Sequence, residues 1–272
     1  MFKGKKVTII GGGKMGSIIV QGLIARKLVP SKDIVVTDID AARLDALRSS
    51  LKVRASRDNE KAAKNADIII LAVKPQNMAA ALQEIKTVVN KSKVLISIAA
   101  GITTKFMESS LVKGVRVVRV MPNTPALVGE GTATVAAGRY AKANDVKLTR
   151  SIFDAVGVSF EVKEKMMDAV TGLSGSGPAY FFLIIEALID AGMKTGLSRD
   201  LSKQLAVQTM LGAARLCLES DKEPAQLREM VTSPNGTTFA GLKVMEERNL
   251  RGIITSAVQA ATKRSKELAK GK

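Results

Sequence analysis

Three glycines near the start of the chain have the spacing of a phosphate-binding turn. Gly11, Gly13 and Gly16 follow the apolar run Val7–Ile10 and precede a stretch with helical character. In a strand-turn-helix unit, the first glycine permits a tight turn, the second lets the backbone approach a pyrophosphate, and the third lets the helix pack against the strand. The helix then begins with free N–H groups aimed at the phosphates. The pattern predicts a dinucleotide site, and a plain strand-to-helix turn is the alternative.

An acidic residue after the second apolar run could recognise the ribose of such a cofactor. Asp38 follows the run from Ile34 to Thr37 and lies about 20 residues after Gly16, the spacing at which a carboxylate accepts the ribose hydroxyls of NAD. The alternative is that Asp38 only caps the helix that begins near Ala41. The sequence leaves both roles open.

Two later segments rich in serine, glycine and threonine precede helical stretches. They are Thr171–Pro178 and Ser233–Thr238. Serine and glycine are typical of helix caps, but free N–H groups at a helix start can also hold a carboxylate, with a threonine hydroxyl left to touch the reacting atom. We expect both segments to open helices, and the adjacent Thr237 and Thr238 favour an anion site.

The chain contains no histidine and one cysteine, which excludes several kinds of chemistry. Histidine triads, histidine metal sites and imidazole acid–base catalysis are all impossible. Cys217 lies between two leucines with no histidine to activate it, so we interpret it as structural. Any proton donor must be another group, and we expect no metal site.

The composition is that of a folded protein long enough for two domains, with 272 residues of which 46% are hydrophobic. A net charge of +17 could attract nucleic acid, but the basic residues are dispersed and only 3% of residues are aromatic, so we expect no nucleic-acid partner. The longest apolar stretch, Ala179–Ile189, is short of the ~20 residues that span a bilayer. No signal-peptide core precedes the glycines, and we expect a cytoplasmic protein without a membrane segment.

The order of apolar runs and helical segments predicts an α/β fold. Continuous apolar strands separated by helices indicate a mainly parallel sheet covered on both faces. The expected strands are Val7–Ile10, Ile34–Thr37, Asp67–Val73, Val94–Ile98, Val115–Val120, Gly131–Gly138 and Val158–Val162, with helices near 41–50, 76–89 and 145–156. Helical periodicity alone follows. We therefore predict a doubly wound Rossmann domain over residues 1–163 and an all-helical domain over residues 164–272, joined through a continuous helix.

The helix expected from Pro178 is apolar on nearly all sides. Its large side chains include Phe181, Phe182, Leu183 and Leu188. A domain of this size cannot cover such a helix alone, which favours a subunit interface. A central buried helix in a monomer is the alternative.

Six motifs in one order resemble those of the pyrroline-5-carboxylate reductase family over essentially the whole chain. They are Gly11–Gly16, Ala72–Pro75, Ser97–Gly101, Met121–Pro125, Gly172–Tyr180 and Ser233–Thr238. The resemblance implies a Rossmann domain followed by an all-helical dimerisation domain. It also implies a homodimer, which in many members assembles further into a decamer.

The resemblance further implies a reaction and roles for individual residues. Hydride passes from NAD(P)H to the C=N carbon of 1-pyrroline-5-carboxylate and gives L-proline, the last step of proline biosynthesis. The implied catalytic residue is Thr238, and the implied substrate-binding residues are Ser233, Asn235, Gly236, Thr237, Thr238, Ser174 and Gly175. The implied cofactor-binding residues are Ile10, Gly11, Gly12, Gly13, Lys14, Met15, Gly16, Asp38, Asn59, Ala72, Val73, Lys74, Pro75, Ile98, Ala99, Ala100 and Asn123.

Two departures from the family bear on the cofactor. Lys14 stands where asparagine or glutamine is common, and its added charge beside the pyrophosphate should be harmless or helpful. Asp38 stands where some members carry a serine that accepts the 2′-phosphate of NADPH. A carboxylate would repel that phosphate, so NADH is favoured over NADPH as the cofactor.

Two other functions remain open. A β-hydroxyacid dehydrogenase or another imine reductase would share the two-domain plan, but such dehydrogenases carry a lysine four residues after the last glycine of the helix opening, where this chain has Phe181. A dinucleotide-binding sensor without catalysis would need the Thr237–Thr238 loop to be a plain cap.

Overall fold

A computed structural model describes residues 1–270 of the chain, so the last two residues of the expected 164–272 domain lie outside the described part. By internal packing the chain divides into two compact units. The first comprises residues 1–176 with the segment from Ala260 onward, and the second comprises Gly177–Gln259. The division between residues 163 and 164 stays a prediction. The packing adds that the C-terminal segment belongs with the first unit.

The first unit contains one eight-stranded sheet in the order β3-β2-β1-β4-β5-β6-β7-β8. The strands are β1 (Val7–Ile10), β2 (Ile34–Thr37), β3 (Arg54–Ser56), β4 (Ile68–Leu71), β5 (Val94–Ser97), β6 (Arg116–Met121), β7 (Gly131–Ala137) and β8 (Gly157–Glu161). Strands β1 to β6 are parallel to one another, β7 is antiparallel to β6, and β8 is parallel to β7. The predicted mainly parallel, doubly wound sheet is confirmed.

The carboxyl ends of the central strands meet at one edge of this sheet. Ile10 of β1 pairs with Thr37 of β2 and with Leu71 of β4, and Leu71 pairs with Ser97 of β5. Chain order reverses between β1 and β4, and open sheets of this kind bind their ligands outside the strand ends at such a point. The loops that follow these four residues therefore face the expected ligand crevice.

Helices cover both faces of the sheet, as continuous apolar strands require. They are α1 (Lys14–Ala25), α2 (Ala41–Leu51), α3 (Asn59–Lys64), α4 (Met78–Ile85), α5 (Thr104–Ser109) and α6 (Ala143–Phe153). One buried cluster includes Ile9 with Leu23 and Phe153, and the other includes Leu71 with Met78 and Met107. Alternate residues of β1, β4, β5 and β6 thus supply two separate clusters.

The remaining helices continue from the sheet without a linker. They are α7 (Met167–Val170), α8 (Gly177–Lys194), α9 (Arg199–Glu219), α10 (Pro224–Met230), α11 (Thr237–Glu247) and α12 (Leu250–Lys270). Helical structure extends from Glu164 to Lys194 with a bend at Ser176, and the join of the two domains through a continuous helix stays a prediction.

Helix α8 begins at Gly177, within Thr171–Pro178, but this segment is not the capped helix start that its composition suggests. Residues Thr171–Gly175 form a π-helical turn, in which the Ser176 N–H donates to the Thr171 carbonyl at 2.8 Å. The glycines and serines of this segment thus lie inside a helix, where backbone N–H groups are used by the chain itself. Composition suggested a cap because it does not reveal whether the preceding residues are already helical.

The helix Glu164–Lys194 is the one helix of the described residues that is long and apolar enough to cross a membrane, by length and composition alone. Phe181, Phe182 and Leu183 are each more than half exposed in the single chain. The alternative of a central buried helix in a monomer is therefore wrong.

Candidate active site

The glycine-rich turn between β1 and α1 has the geometry that a dinucleotide requires. Gly11 has φ of +106°, and a Cβ there would lie 2.6 Å from the Ala72 carbonyl oxygen. A Cβ at Gly16 would collide with the Gly11 carbonyl oxygen, whereas a Cβ at Gly13 would meet nothing within 4 Å. The first and third glycines are therefore needed for packing, and Gly13 leaves open space where a pyrophosphate could approach.

Helix α1 begins at this open space without a cap of its own. Its N-cap residue is Gly13, and no side chain accepts a hydrogen bond from the first turn. The exposed Lys14 adds a positive charge beside these N–H groups. An anion such as a phosphate is stabilised at such a helix start, so the turn fits a dinucleotide.

Asp38 is held directly over the turn by hydrogen bonds to its carboxylate. The Gly12 N–H donates to Oδ2 at 2.8 Å, and the Arg43 guanidinium donates to the same oxygen at 2.9 Å. Helix α2 is capped by Asp40, which accepts from the Arg43 N–H at 3.2 Å. The alternative in which Asp38 only caps α2 is therefore wrong.

The environment of Asp38 keeps its carboxyl ionised. Only 7% of its side chain is exposed, and this burial by itself would raise the pKa. Hydrogen bonds from the Asp40 N–H and the Arg43 side chain outweigh burial and hold the pKa of Asp38 below its usual value, with a further contribution from the Gly12 N–H. A negative charge therefore stands at the end of β2 throughout the neutral pH range.

Asn59, at the start of α3, lies beside the end of β2. Its Oδ1 accepts from the buried Thr37 hydroxyl at 2.5 Å, and its Nδ2 donates to Glu84 of α4 at 2.6 Å. Sequence reasoning missed Glu84, because an exposed glutamate on a helix carries no signal of its own.

The loops after β4 and β5 complete this edge of the sheet. The Ala72 N–H donates to the Ile10 carbonyl at 2.8 Å, and the Ile98 N–H donates to the Leu71 carbonyl at 3.1 Å. These bonds hold Ala72–Pro75 next to the glycine-rich turn and Ile98–Ala100 next to the end of β4. The structure thus brings together the predicted cofactor residues of β1, β2, α3, β4 and β5.

Asn123 has a structural task that the sequence did not predict. Pro178 has no N–H, so the carbonyl of Ser174, four residues earlier, lacks its helical donor. The Asn123 Nδ2 donates to that carbonyl at 3.1 Å, while its Oδ1 accepts from the Thr132 N–H at 2.8 Å. Both ends of this buried amide are therefore engaged within the protein, and its role in cofactor binding stays a prediction.

The segment Ser233–Thr238 is a true helix start. Asn235 has φ of +55° and turns the chain, and α11 begins at Thr237 with Gly236 as its N-cap residue. No side chain caps α11, and both Thr237 and Thr238 are exposed. Free N–H groups and two hydroxyls are thus available to an anionic ligand. The alternative of a plain side-chain cap is not supported by this geometry.

Two family models match the chain. One, described as pyrroline-5-carboxylate reductase dimerisation, matches residues 164–268, and one described as NADP oxidoreductase coenzyme F420-dependent matches residues 6–101. A pyrroline-5-carboxylate reductase of Methanosarcina acetivorans is 44% identical over 98% of this chain and 98% of its own length. The chain belongs to the pyrroline-5-carboxylate reductase family.

Solved structures agree with this membership in the pyrroline-5-carboxylate reductase family. A pyrroline-5-carboxylate reductase from Coxiella burnetii has a TM-score of 0.92 and 41% identity, covering 97% of this chain and 98% of its own. The Plasmodium falciparum pyrroline carboxylate reductase, solved with NADP bound, has a TM-score of 0.89 and 35% identity, covering 99% of this chain and 100% of its own. The chain is an NAD(P)-dependent oxidoreductase with the two-domain plan of pyrroline-5-carboxylate reductases, and these matches favour that family over β-hydroxyacid dehydrogenases.

Proposed function

We propose that the protein reduces 1-pyrroline-5-carboxylate to L-proline with a hydride from NAD(P)H, the last step of proline biosynthesis. The observation that carries this proposal is the uncapped start of α11, which offers backbone N–H groups and the Thr238 hydroxyl in a chain that also has an open dinucleotide turn. The names of its relatives support the same reaction.

The substrate carboxylate would bind the N–H groups around Gly236, Thr237 and Thr238. Asn235 shapes this turn, and Ser233 lies against Gly236, whose N–H donates to the Ser233 carbonyl at 3.1 Å. The proposed substrate contacts of Ser174 and Gly175 follow from the family resemblance, and the Ser174 hydroxyl donates to the Val170 carbonyl at 3.2 Å.

The proposed chemistry suits a chain without histidine. A cyclic imine is basic enough to arrive protonated, and an iminium carbon is already an electrophile. The bound cofactor supplies the hydride, so the protein has to hold the ring and exclude competing orientations. The Thr238 hydroxyl would accept from the protonated imine nitrogen and thereby orient the ring, with little proton transfer of its own.

We propose NADH as the preferred cofactor. The Asp38 carboxylate is ionised and fixed by the Gly12 N–H, so it would accept ribose hydroxyls and repel a 2′-phosphate. Arg43 is the residue that could offset this repulsion, but its guanidinium is paired with Asp38 at 2.9 Å and with Asp40 at 3.4 Å. The Plasmodium falciparum relative was solved with NADP bound.

We also propose a cytoplasmic homodimer, with a decamer as a further assembly. The matched dimerisation region covers α8, whose exposed Phe181 and Phe182 would be buried by a second subunit. Light scattering on dilute protein should show no monomer. A stable, active monomer would contradict this assembly.

The reaction is tested by mixing the protein with NADH and 1-pyrroline-5-carboxylate. NADH fluorescence should decay with formation of proline, and 3-hydroxy acids with NAD should give no turnover. NADH binding without decay would instead indicate a dinucleotide-binding sensor, and turnover of the hydroxy acids a dehydrogenase.

A further inference from the structure

Glu84 fixes the orientation of a side chain at the cofactor edge of the sheet. Its carboxylate accepts from the Asn59 Nδ2 at 2.6 Å, and the Asn59 Oδ1 accepts from the Thr37 hydroxyl at 2.5 Å. These three residues form a chain of hydrogen bonds from α4, through the start of α3, to the last residue of β2.

The chemistry of the three groups decides which of them donates and which accepts in these hydrogen bonds. An ionised carboxylate can only accept, so Glu84 requires the NH₂ end of the Asn59 amide to face it. The carbonyl end must then face Thr37, whose hydroxyl can donate or accept and therefore adapts. Without Glu84 the amide could turn over, because nothing else in this chain of bonds distinguishes its two ends.

The position of Asn59 relates this orientation to the cofactor. Thr37 pairs with Ile10 in the sheet, and the next residue, Asp38, is bonded to the Gly12 N–H. Asn59 is therefore beside the part of the crevice that receives the adenosine ribose in a doubly wound fold. The second N–H of its Nδ2 is not used by Glu84 and can donate to a ribose or phosphate oxygen.

We propose that Glu84 is a positioning residue for the adenosine half of the dinucleotide, acting by fixing the amide of Asn59. The proposal rests on the proposed function only in requiring that NAD(P)H binds in this crevice. In this proposal Glu84 contacts neither the cofactor nor the imine and acts only through Asn59.

The experiment measures NADH affinity by fluorescence, without any imine, for the parent and for Glu84→Gln. The glutamine keeps the shape but can donate as well as accept, so the Asn59 amide loses its fixed orientation. We expect the Kd for NADH to rise about threefold to tenfold, the range of one lost hydrogen bond. Saturating kcat and the KM for the imine should stay near parent values.

A matched control comes from a neighbouring contact between α3 and the turn that follows α4. Glu60 of α3 accepts from the Thr87 hydroxyl at 2.9 Å, in an equally exposed bond between side chains. Glu60→Gln should leave the Kd for NADH unchanged. An equal rise in both variants would mean that any loosening of α3 against α4 weakens binding, and would overturn the proposal.

Two further measurements separate positioning from a general structural effect. In an Asn59→Ala background, Glu84→Gln should have no additional effect on NADH affinity. With reduced nicotinamide mononucleotide, which lacks the adenosine half, Glu84→Gln should match the parent. An unchanged Kd for NADH in Glu84→Gln or in Asn59→Ala, or an equal loss with the mononucleotide, would refute the role. Failure of imine reduction would contradict the proposed function while leaving these binding results interpretable.

Discussion

Two segments of this chain look alike in sequence and have opposite structures. Thr171–Pro178 and Ser233–Thr238 both combine serine, glycine, threonine and proline ahead of a helical stretch. The first is a π-helical turn inside a helix, where the Ser176 N–H is bonded to the Thr171 carbonyl. The second is a helix start with no side-chain cap. Only the second has free N–H groups for an anion, so helix context rather than composition decides where such a site can form.

The largest expected effect comes from placing a negative charge at the free helix start. In Thr237→Asp the new carboxylate would interact favourably with the N–H groups of the first turn and repel the substrate carboxylate. We expect kcat/KM for 1-pyrroline-5-carboxylate to fall at least about 100-fold, a loss of about 2.7 kcal/mol or more. The midpoint of thermal unfolding should not fall, since a charge there stabilises a helix.

The control for this prediction is the neutral isostere Thr237→Asn. It should retain kcat/KM within about threefold of the parent, since it adds no charge. If the aspartate variant turned over the imine like the asparagine variant, the start of α11 would not bind the carboxylate.

A smaller effect is expected at the hydroxyl that would orient the imine. Thr238→Ala should lower kcat by about 10- to 100-fold, or about 1.4 to 2.7 kcal/mol, because the ring loses a positioning contact. The Kd for NADH should stay nearly unchanged, and Thr238→Ser should retain much of the activity.

The control for this prediction is Thr171, a threonine of the segment Thr171–Pro178. The Thr171 hydroxyl donates to the Met167 carbonyl at 2.8 Å, inside the helix. Thr171→Ala should therefore change kcat less than about twofold. Parent-like turnover in Thr238→Ala would show that the α11 loop is only a helix start.

The third prediction concerns the glycine turn at the uncapped start of α1. In Asp38→Ser, the ratio of kcat/KM with NADH to kcat/KM with NADPH should fall about tenfold, which narrows or reverses the preference for NADH. The reason is that like-charge repulsion between Asp38 and a 2′-phosphate is worth about 1 to 2 kcal/mol. Asp40→Ser is the matched control, because Asp40 also pairs with Arg43 but caps α2. It should leave the ratio unchanged. A parent that prefers NADPH would contradict the role given to Asp38.

The lowered pKa of Asp38 sets the pH range of this preference. Because its carboxyl is ionised well below neutrality, the ratio of kcat/KM values for the two cofactors should be constant from about pH 7 to 9. The hydrogen bonds to the carboxylate also stabilise the fold above the usual carboxyl pKa of 3.8. That contribution should be lost as the pH falls through the lower folded-state value. A change in the cofactor ratio near pH 8 would point to another titrating group.

The smallest effect is expected at Ser174, in the π-helical turn. Its hydroxyl is already bonded to the Val170 carbonyl, so Ser174→Ala should change kcat/KM less than about threefold. A tenfold loss would show that the hydroxyl contacts the substrate directly.

The sheet could be predicted because its strands are buried on both faces and therefore read as continuous apolar runs. Ile68–Leu71 and Val94–Ser97 are examples, each fully buried. Strand β3 was not predicted, since Arg54–Ser56 is a short edge strand with no buried residue. The glycine turn and Asp38 could also be predicted, because a dinucleotide site requires this spacing of residues.

The contacts that hold the site together could not be read in the same way. Asn123 meets Ser174 across 51 positions of sequence, and Asn59 meets Glu84 across 25. Neither contact is predicted by a periodic pattern or by a sequence motif. The π-helical turn was missed for a related reason, since glycine and proline usually end a helix and here a side chain from a distant loop supplies the missing donor.

The Asn123 amide also has a consequence for local unfolding. It bonds a carbonyl of the π-helical turn at one end and the first part of β7 at the other, so the loop after β6 cannot open without breaking both contacts. Opening of this loop would release the Ser174 carbonyl and the Thr132 N–H, so amide exchange at Thr132 should report on the opening.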